Sequence, residues 1–467
     1  MFRKSVSFIL VMFMALSLLT GCGSGTENTT EADATKPSAN EPVGTVAAET
    51  SAAQEKVTIK FWAYSRWNGI NGNEPDGQPG DWEKSRADAF SEKYPNVTVE
   101  FQNLPYKGGP EKVNVAIASR TQPDVLQDYP GRFYGYVINN ALLPLDDTVT
   151  AEELSDYYEG AWDSCMFTDG KHYMFPIGSV VTPLLINLDL FKAAGAENLL
   201  PTNAEKTWTY EQFKAALKAV TKDGVYGTAL YAANEQNDNA TTGIIWGYGA
   251  DLINKSCDKV VLNSPEGVKG LEFLVSLVNE KIAMPGAETL SNIDTVNLFK
   301  QQKIAVFLPG TPAYYQQVYD ESKEGKYKGF EVGWAQYPTA EGVAPRFYPN
   351  YVGTAVFKCD DAYQQKMAVE LAKFVTNTDS VIAFKASQLI PTRKSAGNLY
   401  PGKELMEWCS LVTKYSYDPG YAAQGYAEVR AAFFPELQAA YIGSKTPKQA
   451  LDDFAVKAQA SLDKYKK

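Results

Sequence analysis

Histidine is almost absent from this chain, since His172 is the only one in 467 residues. Metal centres and general-base catalysis depend heavily on imidazole groups. A single histidine therefore argues against a zinc hydrolase and against a histidine-dependent catalytic triad. Glycosidases escape this exclusion because they need only two carboxylates. We expect no metal site, no cofactor and no catalytic residue.

Cysteine is scarce and lacks any metal-binding spacing. The chain has five cysteines, and none of them forms a C-x-x-C pair. Apart from Cys22 they are Cys165, Cys257, Cys359 and Cys409. An even number in an exported protein allows disulfides in three possible pairings. Free buried thiols are the alternative, and the sequence leaves both open.

Positive charge is in deficit. The chain carries 44 Lys and Arg against 55 Asp and Glu, which gives a formal net charge of −11. An acidic surface repels phosphate backbones and anionic headgroups. This balance argues against nucleic acid or anionic lipid as the ligand.

The N-terminus has the form of a bacterial export signal. Basic Arg3 and Lys4 precede an apolar run from Val6 to Leu19, which is too short to span a membrane. The run ends in Leu-Thr-Gly-Cys, a pattern typical of lipoprotein signals. We predict that residues 1–21 are removed and that the thiol of Cys22 is acylated. The alternative is an ordinary signal peptide that happens to contain a cysteine.

The segment that follows has no residue able to build a core. Residues 23–55 contain no Phe, Tyr, Trp, Leu or Ile. Such a stretch cannot bury enough apolar area to offset its ordering entropy. We therefore predict that residues 22–55 are a lipidated cysteine and a disordered tether. The protein would then be held on the extracellular face of the bacterial cell membrane.

From residue 56 onward the pattern changes to that of an α/β protein. Strand-like alternation near the start is followed by helix, strand, helix and strand, which is the parallel α/β order. About 410 residues are too many for one core, so we expect two lobes. The clearest helices predicted further on begin near Trp208, Pro265, Lys366, Ala427 and Thr446.

Eight blocks of this body occur in the order found in one known family. They are VTIKFW, FSEKYPNVTVEF, the segment from Gln122 to Leu145, DGKHYMFPIGSVVTPLLINLDLFKAAG, TWTYEQFKAA, LFKQQKIAVFLPG, VGTAVF and LIPTRKSAG. On these blocks the chain resembles the extracellular solute-binding proteins of ATP-binding-cassette importers. The resemblance is to the sugar-binding group that includes maltose-binding protein. It implies a periplasmic-binding-protein-like α/β fold with two lobes, hinge strands and a ligand cleft between the lobes.

The resemblance also implies where the chain crosses between lobes. The implied first lobe holds residues 56–178 and 354–376, and the second holds residues 179–353 and 377–467. The crossings would lie near Gly178, near Gly353 and near Thr376 and Asn377. Glycine suits a hinge strand, because it tolerates the changes in φ and ψ that closure requires.

Sugar recognition needs aromatic rings beside planar hydrogen-bonding groups. The C–H-rich face of a pyranose stacks on a ring, and its hydroxyls pair with carboxylates, amides and guanidinium groups. Such residues are expected beyond strand ends, where ligands of α/β sheets bind. The candidates are Tyr64, Trp67, Asp128, Arg132, Tyr314, Tyr348, Asn350 and Tyr426.

Three of these candidates rest on the resemblance. Arg132 falls where maltose-binding protein has a sugar-contacting arginine, and Tyr426 falls where it stacks a tryptophan. Gly131 replaces an aspartate of that protein, and Asp128 would supply the missing acceptor. The alternatives are that Arg132 makes a surface ion pair and that Tyr314 caps a helix and packs inward.

These observations predict a monomeric, lipid-anchored carbohydrate receptor that delivers its ligand to the membrane permease subunits of an importer. A glycoside-active enzyme on the cell surface is the alternative from another class. A third possibility keeps the binding fold but changes the ligand to a polyamine, a metal or a phosphate ester.

Overall fold

A computed structural model describes most of the chain after residue 54. The described residues are 55–65, 68–70, 74, 76–105, 108–158, 160–347, 350–383, 385 and 388–465. Cys22, Trp67 and Tyr348, about which the sequence makes predictions, lie outside this range.

The described strands form two separate sheets. The first sheet has six strands in the order β10-β4-β9-β3-β1-β2, and the second has four in the order β6-β7-β5-β8. The strands are β1 (Val57–Ala63), β2 (Val97–Asn103), β3 (Val125–Asp128), β4 (Phe175–Val180), β5 (Leu184–Asn187), β6 (Tyr226–Thr228), β7 (Ile304–Phe307), β8 (Val332–Ala335), β9 (Asn350–Val356) and β10 (Ile390–Pro391). Each sheet is the centre of one lobe.

Fifteen α-helices in the described residues surround these sheets. They are α1 (Asp81–Lys93), α2 (Gly109–Ser119), α3 (Pro130–Ile138), α4 (Ala151–Asp156), α5 (Leu188–Ala194), α6 (Tyr210–Val220), α7 (Asp238–Trp246), α8 (Pro265–Asn279), α9 (Asn292–Lys300), α10 (Pro312–Lys323), α11 (Ala362–Val375), α12 (Thr378–Ala383), α13 (Glu404–Val412), α14 (Tyr426–Tyr441) and α15 (Pro447–Asp463).

The first sheet confirms the predicted parallel order. β1 pairs in parallel with both β2 and β3, and helices α1 and α2 make the connections. Ile59 and Phe61 are fully buried, while Thr58 and Lys60 between them are exposed. This alternation produces a strand with one face toward the core. Parallel strands end at the same edge, so β1 and β3 bring their following loops together.

Helix α6, which packs against β6 and β7 of the second sheet, begins with a capping box. Thr209 accepts a hydrogen bond from the backbone N–H of Gln212, and the Gln212 side chain accepts one from the backbone N–H of Thr209. This reciprocal capping satisfies two free donors at the start of α6. The apolar face of α6 then packs through Phe213 and Leu217 into the core.

At two places a strand of one sheet is followed along the chain by a strand of the other sheet. β4 belongs to the first sheet as far as Val180, and β5 opens the second sheet at Leu184. β8 closes the second sheet, and β9 re-enters the first at Asn350. Two boundaries placed at residues 178 and 353 therefore fall inside strands of the first sheet. The remaining lobe limits stay a prediction.

One short strand in the C-terminal third of the chain lies in the first sheet, although the sequence assigns its residues to the second lobe. β10 pairs antiparallel with β4, so Ile390 and Pro391 belong to the first sheet. The predicted second-lobe segment, residues 377–467, therefore includes two residues of the first sheet. The cause is a long-range strand pairing of two residues, which leaves almost no local pattern. The crossing near Thr376 and Asn377 stays a prediction.

The four cysteines among the described residues do not pair. Cys165, Cys257, Cys359 and Cys409 are all free thiols. Among the described helices, none has both the length and the apolar character that crossing a bilayer requires.

Candidate functional site

The two lobes face each other across the start of α3. A Cβ atom built on Gly131 would lie 3.5 Å from Cδ1 of Tyr421, which belongs to the segment leading into α14. One cavity lies on each side of this contact. We call them the hinge cavity and the arginine cavity.

The hinge cavity has a volume of about 270 Å³ and touches strands β4 and β9. It collects residues that are far apart in sequence, from β4, β9, the segment after α4, the segment around β10 and the segment between α13 and α14. Its lining includes Tyr158, Asp163, Ser164, Ser179, Tyr351, Thr392, Ser416, Asp418 and Tyr421. Three aromatic rings beside hydroxyls and two carboxylates form the kind of surface that pairs with the faces and hydroxyls of a sugar.

Asp418 is the most constrained carboxylate of this cavity. Its Oδ1 accepts hydrogen bonds from the backbone N–H groups of Gly420 and Tyr421, each 2.9 Å long. Burial raises the pKa of the carboxyl, and these two hydrogen bonds act against that rise. The turn thus fixes both the carboxylate and the ring of Tyr421 at the cavity wall.

Asp163 faces the hinge cavity from the first lobe. Its carboxylate is largely exposed and lies 3.9 Å from Nε2 of His172. The His172 ring stacks on Trp162, with the ring centroids 4.7 Å apart, and its Nδ1 lies 2.6 Å from Asp146. The only histidine of the chain is therefore held behind the cavity wall and is not among its lining residues.

The arginine cavity, about 390 Å³, lies between α3 and the start of α14. Arg132 lines it from the first lobe and Tyr426 from the second. The structure therefore brings together two candidates that the sequence places in different lobes. Tyr426 is only 7 % exposed, and its ring packs edge-on against Tyr421.

Arg132 is held by a buried carboxylate. Its Nε lies 2.9 and 2.7 Å from the two oxygens of Asp128, and its Nη2 also donates to this carboxylate. Asp128 is 1 % exposed and accepts from the backbone of Tyr129 as well. The proposed role of Asp128 as a free acceptor for sugar hydroxyls is therefore corrected. Its oxygens are occupied, and it orients the guanidinium group of Arg132.

Tyr64 also needs correction as a direct ligand contact. The residue is 1 % exposed and belongs to an apolar cluster with Trp62. Cζ of Arg132 lies 4.5 Å from the centroid of its ring, so the guanidinium group covers one ring face. Tyr64 supports Arg132 from below, and its ring is not presented to the cleft.

The second lobe contains a matching ion pair. Arg430 forms a bidentate ion pair with Asp238. Its Nη2 lies 2.9 Å from Oδ1, and its Nε donates to Oδ2. Asp238 is 3 % exposed, at the start of α7. Arg430 follows Tyr426 by one turn of α14. Each lobe thus neutralises one arginine of α3 or α14 with a buried aspartate.

Tyr314 does not line either of these two cavities. The Tyr314 hydroxyl accepts a hydrogen bond from Asn292, and its ring packs edge-on against Phe307. This inward packing is the alternative that the sequence left open for it. The backbone of Asn350 begins β9, which enters the first sheet beside the hinge cavity.

Several lining residues were missed by sequence reasoning. Asp418, Pro419, Gly420 and Tyr421 form a turn with an aromatic residue a few positions before α14, and that turn signal was available in the sequence. Ser179 and Tyr351 lie on the strands that we expected to form the hinge. Asp163 gave no local signal.

The comparisons with known proteins agree with this architecture. The family model for bacterial extracellular solute-binding proteins matches residues 74–382, more than half of the chain. The chain belongs to this family. The predicted resemblance is thereby confirmed at the level of the family. No cluster of three or more His, Cys, Asp or Glu that could hold a metal ion occurs in the part of the chain that the structure describes.

Individual relatives of this solute-binding protein are distant. A binding protein of Brucella abortus is 24% identical over 381 residues, which cover 80% of this chain and 88% of the relative. The arabinooligosaccharide-binding protein of Bacillus subtilis is 22% identical over 287 residues, covering 61% and 56%. The structure of a cyclo/maltodextrin-binding protein complexed with maltotetraose has a TM-score of 0.71 at 19% identity, covering 89% of this chain and 100% of the other. The likeness establishes the two-lobed fold.

Proposed function

We propose that this solute-binding protein is a carbohydrate receptor, anchored outside the cell by lipid on Cys22, that delivers an oligosaccharide to an ATP-binding-cassette importer. The observation that carries the proposal is the cleft itself. Its two cavities take aromatic rings and hydrogen-bonding groups from both lobes. The arabinooligosaccharide- and maltotetraose-binding relatives support the same ligand class.

A neutral sugar fits the charges of the cleft. Arg132 and Arg430 are each paired with a buried aspartate, so neither presents an uncompensated charge to a ligand. A phosphate ester would need such a charge. Asp163 and Asp418 in the hinge cavity would repel it further. Hydroxyl groups, in contrast, donate readily to carboxylates.

Binding would favour the closed arrangement of the lobes. Tyr351 and Ser179 line the hinge cavity from the first lobe. Tyr421 and Asp418 line it from the predicted second lobe. A ligand that contacts both sets binds the closed form more tightly and raises its population. The closed form is then the one that would be presented to the permease.

Thermal-shift screening followed by calorimetric titration tests the proposal. We expect neutral arabino- or malto-oligosaccharides to raise the melting temperature, because they bind only the native state. Polyamines, divalent metals and sugar phosphates serve as the competing ligand classes. A shift produced only by one of these classes would refute the carbohydrate assignment.

Two substitutions locate the site. Tyr421→Ala should weaken binding of the best sugar by about tenfold, because stacking contributes about 0.5–1.5 kcal/mol beyond the buried area. Asp418→Asn keeps the turn geometry but turns a charge-assisted hydrogen bond into a neutral one, with a loss of about 1 kcal/mol. Asp88→Asn, at an exposed position of α1, is the control. Wild-type affinity in both cleft variants would place the site elsewhere.

Incubation of the purified protein with oligosaccharides tests the enzymatic alternative. Asp163 and Asp418 are two carboxylates in one cavity, which is the minimum that glycoside hydrolysis requires. We expect oligosaccharides to be recovered intact after long incubation. Products that disappear in Asp418→Asn would favour an enzyme over a receptor.

The anchor is tested separately from the ligand. Cells fed a labelled fatty acid should label the wild-type chain, and Cys22→Ala should lose the label. Equal labelling of both chains would contradict acylation at this cysteine.

A further inference from the structure

A third cavity adjoins the hinge cavity and has a different chemistry. It has a volume of about 380 Å³ and lies between β10, α13 and the segment that joins them. Its lining is mainly apolar and includes Tyr158, Ile390, Pro391, Leu399 and Leu411. We call it the apolar cavity.

The apolar cavity continues from the hinge cavity. Both are lined by the same four residues, Tyr158, Pro391, Thr413 and Lys414. A molecule seated among the hydroxyls and carboxylates of the hinge cavity could therefore extend past Tyr158 into apolar surroundings. The two cavities together would accept a ligand with one polar part and one apolar part.

Polar side chains that line the apolar cavity are already engaged within the protein. Glu407 accepts hydrogen bonds from Asn398 and from the backbone of Gly402. Lys414 pairs with Glu205 at 2.7 Å.

Three hydroxyl groups of the lining are engaged in the same way. Those of Tyr400, Ser410 and Thr413 donate to backbone carbonyls. What this cavity has to offer a ligand is therefore chiefly apolar surface.

Two large apolar side chains on the rim are exposed to water. Tyr158 is 44 % exposed and Leu411 is 46 % exposed. Covering such surface with an apolar group is favourable, at about 25 cal/mol for each Å². A cavity of ~150 Å³ is enough to hold benzene in other proteins, so this one has room for a ring-sized group.

We propose that the apolar cavity is a subsite for an apolar aglycone, an aryl-sized group carried at one end of the carbohydrate. The inference rests on the proposed carbohydrate function and narrows the substrate class to glycosides with an apolar end. The sugar part would occupy the hinge cavity, and Tyr158 would lie at the boundary between the two parts.

Matched pairs of glycosides test this subsite. We would measure the affinity of methyl and phenyl glycosides of the arabino- and malto-oligosaccharides, in both anomeric forms, by calorimetric titration. For the preferred sugar, the phenyl glycoside should bind at least tenfold more tightly than its methyl counterpart. This corresponds to about 1.4 kcal/mol.

The variant Leu411→Gln tests whether the preference for phenyl over methyl glycosides arises in the apolar cavity. The substitution keeps helix propensity in α13 and affects an exposed side chain, so the fold should tolerate it. It should reduce the phenyl preference at least threefold and leave methyl-glycoside binding unchanged. Ile442→Gln, at a 61 % exposed position that lines neither cavity, is the control and should keep the full preference.

The outcomes separate the inference from the function on which it rests. Methyl glycosides that bind without any gain from the phenyl group would refute the subsite and leave the receptor function standing. A phenyl preference that Leu411→Gln does not change would place the apolar contact elsewhere and also refute it. Failure of every glycoside to bind would overturn both the function and the subsite.

Discussion

Removal of Arg132 should damage the fold as well as the site, because its partner is buried. Asp128 is 1 % exposed, and the guanidinium group of Arg132 contacts both of its oxygens. Arg132→Ala would leave a carboxylate in the interior without a cation. Breaking a buried ion pair by removing one partner costs about 3–5 kcal/mol. The contact between the guanidinium group and the Tyr64 ring would be lost as well.

The loss should depend on pH in a defined direction. Burial raises the pKa of Asp128, and the hydrogen bonds and charge of Arg132 act against this rise. Without Arg132 the pKa rises further above its value in the unfolded chain. The folded variant then binds a proton that the unfolded chain releases, so its stability falls as the pH rises from about 4 through the folded-state pKa. The deficit should therefore be larger at pH 8 than at pH 5.

Urea unfolding of three variants at both pH values measures these effects. Asp128→Asn combined with Arg132→Ala removes the buried charge, so it should recover about 2 kcal/mol and lose the extra pH dependence. Lys84→Ala breaks a pair with the same spacing, Lys84 and Asp88, whose side chains are 61% and 58% exposed. It should cost no more than about 0.5 kcal/mol. If Arg132→Ala costs as little as Lys84→Ala, the reasoning from burial is wrong.

Two further outcomes are expected. After unfolding without a reductant, the four cysteines that follow residue 55 should all react with a thiol reagent. In the native protein, Cys165 and Cys409 should stay unreactive because they are buried. Any disulfide found by peptide mapping would contradict this. Thr209→Ala should lower the free energy of unfolding by about 1 kcal/mol, because it removes half of the capping box of α6. Thr209→Ser, which keeps the hydroxyl, is its control, and an equal loss in both variants would rule out the cap as the cause.

Local patterns predicted the elements of this fold well. The first strand, predicted from the alternation of Lys56 to Trp62, is observed as β1, and Pro265 begins α8 as expected. These features depend on residues close together in sequence, such as caps, prolines and alternating apolar positions. The parallel pairing of β1 with β2 and β3 also followed from the order of strands and helices.

The site was harder to predict because it depends on what covers each side chain. Asp128 and Arg132 stand four residues apart, and the sequence alone allowed each to face the cleft. The structure shows them bonded to each other, with Tyr64 beneath the arginine. The pairing of β10 with β4 is likewise a contact between distant segments. Periodicity carries no information on such contacts. The burial of a residue near a strand end therefore becomes known only from the three-dimensional structure.

Close backbone packing, and not a special φ angle, explains the glycines of the hinge strands. Neither Gly178 nor Gly353 is among the described glycines with positive φ. A Cβ on Gly353 would lie 2.3 Å from the carbonyl oxygen of Phe175 on the neighbouring strand β4. A Cβ on Gly178 would lie 3.0 Å from the carbonyl oxygen of Ile390. The steric reason accounts for glycine at both positions in this structure, and the expectation that they provide conformational freedom during closure stays a prediction.

The loss of stability on substituting these glycines by alanine should be larger where the Cβ distance is shorter. Gly353→Ala forces β4 and β9 apart where the lobes join, at a cost of about 1–3 kcal/mol. Gly178→Ala should cost less, because the carbonyl group of Ile390 needs to move by only a few tenths of an ångström. Gly135→Ala is the control for stability only, because nothing lies within 4 Å of its Cβ position and alanine favours the helix α3, but the residue lines the arginine cavity. Urea unfolding measures the three stabilities, and small-angle scattering with and without sugar measures lobe closure. A Gly353→Ala variant as stable as Gly135→Ala would show that β4 and β9 can separate freely, and the steric account of the hinge would fail.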